Sequence, residues 1–306
     1  MTETTSRPDS ATLIAFVAFT VLGGANAVGV KFALVDLAPF WAAGTRFLLA
    51  GVLLFGFAVA SGHPMPRGRQ LLGTVLFGLF GVALAYLFLY WGLQSAPAGT
   101  AMVMLATVPL LTLLLAIVQG VERLRWLGLV GAIIASLGII VVASDQIRLE
   151  VPIIALLALL AGAACLAQSG VVVKRFPPGH PVPANAIGMT LGGSLLLAVS
   201  MVTGEPFVAP NQLETWLAML YLIVPGSVAV FILVLYILAR WTASATSYAF
   251  LLFPLVAIML GALMLDEPVQ PTFLIGGAIV LAGVYIGAVH RPRRTPRVVV
   301  EGSHPG

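Results

Sequence analysis

The sequence predicts an all-α polytopic membrane protein in which ten transmembrane helices form two five-helix repeats of inverted topology. Three observations carry this prediction. Of 306 residues, 60% are hydrophobic and only 8% charged. Soluble domains carry roughly 25% charge, so this chain lacks the polar surface to cover a water-soluble globule. The second observation is an internal repeat at half the chain's length. Shifting Pro109–Gly138 by 145 positions lays Pro109 on Pro254, Glu122 on Glu267, Gly131 on Gly276 and Gly138 on Gly283 without a gap, and 8 of the 30 positions are identical. The third is the placement of Lys and Arg, which fixes orientation.

A helix needs about 20 apolar residues to cross a hydrocarbon core of ~30 Å. By that length the spans run 12–34, 39–60, 71–92, 98–119, 126–144, 152–173, 184–203, 213–237, 243–265 and 271–289. Short loops rich in Pro, Gly and charge join them, such as 61–69 and 177–181. The chain divides into a tail 1–11, a first repeat 12–144, a second repeat 152–289 and a tail 290–306, with both tails read as disordered. The first apolar run, from Ala11 to Val35, is too long for a signal-peptide core and lacks a basic leader.

With the N-terminus inside, cytoplasmic segments hold Arg7, Arg67, Arg69, Arg123, Arg125, Lys174, Arg175, Arg240, Arg291, Arg293, Arg294 and Arg297. The outer segments hold Arg148 alone. The positive-inside rule then places both termini in the cytoplasm of a multi-pass protein of the cell membrane. Five spans is an odd number, so the second repeat must thread the bilayer upside down relative to the first. Such an inverted repeat lets two copies exchange shapes around a midplane site, the geometry of alternating access.

Pro109–Val142 and Pro254–Val289 each read as a proline, an apolar run, a glutamate (Glu122, Glu267) and a Gly-rich helix. Lys31, Pro39, Phe40 and Arg46 open the chain, and Ala243, Ser244, Ala245 and Pro268 stand around the second copy's end. In this order they resemble the EamA repeat of the drug/metabolite transporter superfamily, over about 12–289. The resemblance implies ten helices, an inverted repeat and a central cavity, usually for export of small metabolites such as amino acids.

Candidate site residues follow from chemistry that hydrocarbon does not tolerate unpartnered. Asn26 and Gln168 are the amides deepest in their halves and should face the protein interior, as substrate contacts or interhelical hydrogen bonds. Tyr86, Tyr90, Phe231 and Tyr236 bring aromatic bodies, and the repeat shift lays Tyr86 on Phe231; Tyr248 precedes Pro254. These are expected to line a cavity for a flat or apolar solute. Pro109 and Pro254 each remove a backbone donor mid-span, so each helix should kink there and serve as a hinge or shape packing. Lys31 and Arg46 are full charges within spans. They read either as interface anchors or partners of Asp36, or as a cationic lining of an outer vestibule. Gly131 and Gly138, with Gly276, Gly283 and Gly287, form small-residue stripes, read as seams within the bundle or at a homodimer contact.

The absences narrow the function classes. No Asp or Glu lies deep in a span, and His63, His180, His290 and His304 lie in loops or the tail. Coupling through a buried carboxylate is therefore disfavoured, while Asp266 and Glu267 at a helix end remain candidates. One cysteine, Cys165, excludes an internal disulfide and disfavours a thiolate metal site. No phosphate loop, zinc helix or nucleophile elbow is present, so neither a metal nor a cofactor is expected. The basic residues lack interleaved aromatics, which excludes a nucleic-acid platform. The expected partners are a small-molecule substrate and the lipid bilayer. The function expected is a secondary transporter, an exporter of metabolites such as amino acids or drugs. An uptake permease or facilitator and a non-transporting sensor or scaffold are the alternatives, and an enzyme is not expected.

Overall fold

The computed structural model describes residues 8–96, 98–144, 151–264 and 271–289. Arg148, Asp266, Glu267 and most of both tails lie outside the described residues. Among the described residues the structure is helical, without strands. Nine helices are long and apolar enough to cross a membrane: α1 Ser10–Ala33, α2 Pro39–Ala60, α3 Gly68–Leu93, α4 Thr100–Val118, α6 Ile153–Arg175, α7 Pro181–Val202, α8 Leu213–Arg240, α9 Ala243–Leu263 and α10 Pro271–Ala288. A shorter apolar helix, α5 Trp126–Val142, completes ten. At 17 residues α5 spans only about 25 Å.

Helix ends fall where chain chemistry satisfies the first backbone donors. Asp9 accepts from the Thr12 N–H at 2.9 Å and starts α1. α2 and α7 open on Pro39 and Pro181, a residue that supplies helical φ where no donor is needed. The sequence expectation began α7 at 184 because Pro181 and Pro183 read as loop; both fit the first turn.

Packing repeats itself five helices on. α1 packs on α8 and α9, and correspondingly α6 packs on α3 and α4. α2 lies along α7, and α5 along α10. Each of these two seams is closed by glycine. A methyl group on Gly44 would lie 2.9 Å from the Leu197 nitrogen, and one on Gly193 would strike the backbone of Leu48. Added methyls at Gly131 and Gly283 would stand 2.6 Å from each other's carbonyl oxygens. For the mates Gly276 and Gly138 the distances are 2.7 and 2.8 Å. The shift of 145 carries Gly131 to Gly276 and Gly138 to Gly283, so the α5–α10 contact maps onto itself with the helices exchanged. The small-residue stripes of the sequence therefore meet inside one chain.

A second register match was not expected from sequence. α3 and α8 each loosen into one π-helical stretch, Leu79–Leu84 and Val224–Ala229. The same shift of 145 superimposes them, laying Gly81 on Gly226. In α8, Pro225 withholds a donor, and the Ser227 hydroxyl donates to the Leu222 oxygen at 2.7 Å. α4 is interrupted at Ala106–Thr107, just before Pro109. Pro254 instead lies inside an unbroken helical stretch, Ala249–Met264, and the turn in α9 falls at Tyr248.

The loops gather at two faces. On one, Asp36 accepts from the Asn211 and Gln212 N–H groups, each at 3.0 Å. Glu205 accepts from the N–H groups of Phe40 at 3.1 Å and Trp41 at 2.7 Å. The Trp41 ring also meets Phe207 at a tilt, with centroids 4.8 Å apart. On the opposite face Glu122 accepts from the Ser244 N–H and hydroxyl, and the His63 and His180 rings stack at 3.8 Å. The three carboxylates all sit at the N-terminus of a helix in the other half, where the helix dipole favours negative charge.

Candidate functional site

Between the seams lies a cavity of about 180 Å³. Its walls come from α1, α3, α4, α6, α8 and α9, which are three helices of each half and none of the four seam helices. Its lining is apolar apart from Asn26, Tyr86, Thr112, Ser169, Thr246 and Ser247. An apolar pocket with a few convergent polar groups is the usual form of a small-molecule site.

Two contacts at the cavity wall correspond between the halves, each made on a glycine of a loosened stretch. On α1 the Asn26 amide donates to the Gly226 oxygen at 2.9 Å, within the loosened stretch of α8. On α6 Ser169 packs against Gly81, within the loosened stretch of α3, where an added methyl would lie 3.0 Å from its Cβ. Helical loosening of this kind recurs at functional sites. Glycine is required at both places, because a side chain there would occupy the space of Asn26 or Ser169. The Asn26 Oδ1 is buried without a hydrogen-bond partner.

Of the residues singled out from sequence, Asn26, Tyr86 and Phe231 line the cavity. Phe231 meets Phe47 and Phe77 edge-on, at ring separations of 5.7 and 6.2 Å. Gln168 does not line it. Its side chain exchanges hydrogen bonds with Gln119 of α4, one of them at 2.7 Å. Tyr90 is buried one turn from Tyr86 beside Arg46. Tyr236 lies near the end of α8 under the Arg240 guanidinium, 3.7 Å from its ring centroid. The Tyr248 hydroxyl donates to the Gly128 oxygen, fastening α9 to α5. Lys31 is exposed in the last turn of α1.

Arg46 is placed differently from either expectation. It is 1% exposed, and it does not pair with Asp36, whose carboxylate is taken by the start of α8. Its Nε donates to Ser227 Oγ at 2.7 Å and its Nη2 to the Gly226 oxygen at 2.9 Å, so it shares that acceptor with Asn26. Sequence reasoning missed Ser169, Gly81, Thr112 and Thr246 as lining residues. The available signal was the glycine pair Gly81 and Gly226 at the repeat shift, with a small polar residue one position beyond Gln168.

The EamA-like transporter family model matches the chain twice, over residues 10–144 and 153–288. The "Uncharacterized inner membrane transporter YedA" of Escherichia coli (strain K12) is 32% identical over 277 residues, 89% of each chain. The "Probable terminal-alkyne amino-acid exporter" of Streptantibioticus cattleyicolor is 29% identical over 246 residues, 79% of this chain and 81% of its own. A solved crystal structure, 21% identical, aligns with 92% of this chain and 96% of its own at a TM-score of 0.74, which shows a shared fold.

Proposed function

The chain belongs to the EamA-like transporter family, and from that premise we propose that it is a secondary transporter that exports small organic metabolites by alternating access. One observation carries the mechanism. The cavity is walled by equivalent helices of two inverted halves, with Asn26–Gly226 and Ser169–Gly81 as corresponding contacts at its wall. Exchanging the shapes of the halves then opens the same site to the opposite side.

The loop closures supply the two gates. Asp36 and Glu205 clasp one face, and Glu122 clasps the other. Each joins the two halves, so each must part when its face opens. With Lys and Arg concentrated on the Glu122 side, that face is cytoplasmic and the membrane is the cell's inner or plasma membrane. The relatives' names support amino acids as the solute class, and the apolar cavity also suits lipophilic drugs.

Solute counterflow in proteoliposomes tests the carrier. Vesicles loaded with unlabelled candidate solutes should accumulate the labelled form transiently, and Asn26→Ala should slow this without lowering the amount of inserted protein. Equal accumulation in protein-free vesicles, across a metabolite library, would remove the carrier reading.

A further inference from the structure

Among the described residues Arg46 is the only charged side chain that the bundle buries. Its hydrogen-bond partners are the Ser227 hydroxyl, the Gly226 carbonyl and the Tyr90 side chain, all neutral, and its guanidinium carbon lies 4.7 Å from the Phe47 ring centroid and 5.7 Å from that of Tyr86. Neutral acceptors and ring faces stabilise a cation without neutralising it. Among the described residues no carboxylate pairs with it. A guanidinium carries five N–H donors, and these three hydrogen bonds leave two for a carboxylate.

Arg46 sits one side chain behind the cavity wall. Tyr86 and Asn26 line that wall, and both touch Arg46's surroundings: Tyr86 through its ring, Asn26 through the shared Gly226 oxygen. The rest of the wall offers Phe19, Phe77, Phe231, Phe250 and Phe253, and no acidic residue lines it.

We infer that the carried solute is an organic monocarboxylate with an apolar body, and that Arg46 is the counter-ion that selects it. This rests on the transporter reading and narrows it. The carboxylate pairs with the guanidinium as the Tyr86 ring turns aside, and the body lies among the phenylalanines. An ammonium group meets no counter-charge in the cavity, so an amino acid gains nothing over the corresponding acid.

Thermal unfolding of the purified full-length protein tests this with 3-phenylpropionate, 3-phenylpropanamide, phenethylamine and phenylalanine. The acid is expected to raise Tm with saturation, and the amide and amine to leave it unchanged. Phenylalanine should bind no tighter than the acid. Arg46→Lys should weaken the acid's effect about tenfold, and Arg46→Gln should abolish it while keeping the wild-type gel-filtration profile. The inference is overturned by an equal shift with the amide or amine, by tighter binding of phenylalanine, by no shift with the acid, or by an undiminished shift in Arg46→Gln. If Arg46→Gln fails to fold, the four wild-type comparisons still decide. Counterflow of a solute without an acid-induced shift would sink this inference and leave the carrier standing; an acid-induced shift without counterflow would sink the carrier reading, and leave Arg46 as a carboxylate-binding residue with no carried solute.

Discussion

Asn26 and Gln168 occupy similar depths in the first helix of each half, yet only Asn26 faces the cavity. One residue turns a helix by about 100°, and Ser169, not Gln168, is the mate that points inward. The sequence made depth legible and left azimuth hidden. Lipid and cavity are both apolar here, so no polar stripe marks the inner face. The pairing of Gln168 with Gln119 gives it a structural role. Gln168→Ala should lower stability by ~0.6–2 kcal/mol, the range of interhelical hydrogen bonds in bilayers, with flux per folded molecule unchanged. Asn26→Ala should leave folding intact and cut flux at least tenfold. Counterflow normalised to folded protein separates the two. At the loop end of α7, burial and then the neighbouring His63 hold His180 below its usual 6.5. A depressed histidine favours the neutral ring in the folded state. The contact therefore contributes fully above about pH 6.5 and fades as pH falls through the lowered value. Hydrogen exchange over 176–182 should accelerate between pH 7.5 and 5.

At the scale of elements, the ten spans and their order were readable because each is a long apolar run bounded by turn residues. The α5–α10 seam was readable as glycine stripes but not as a pairing, since a stripe states that something approaches closely and not what. The structure makes the pairing a prediction. A valine at Gly138 would press on the Val280 nitrogen and the Gly276 oxygen, backbone atoms that cannot yield as a side chain can. Gly138→Val should lower stability by at least the ~1–3 kcal/mol typical of overpacking, seen as a reduced Tm and yield; an unchanged Tm would refute the packing. The two loosened stretches of α3 and α8 were not readable. Only Val224–Ala229 contains a proline, and Leu79–Leu84 offers the single glycine Gly81, which is too common in membrane helices to mark it. Tertiary packing of Gly81 on Ser169 does.

For the whole molecule, both faces are held by carboxylates at helix starts, and that makes closure depend on acidity. The Gln212 N–H, then Thr215 and Asn211, keep the Asp36 carboxyl below its ordinary 3.8 against a smaller opposing effect of burial. A depressed carboxyl contributes fully above the ordinary carboxylate range and is lost as pH falls through the lowered value. Segment 203–212 should therefore gain solvent exchange below about pH 4, and Asp36→Asn should show the same gain at neutral pH. Retained protection in that variant would assign the closure to Glu205 and the Trp41–Phe207 contact alone. There is also a division of labour in the bundle. The glycine-closed α2–α7 and α5–α10 seams lie outside the cavity wall, apart from Arg46 reaching toward it from behind. Wall substitutions can thus retune what is carried while the fastening stays intact. New solutes become accessible to this scaffold one side chain at a time.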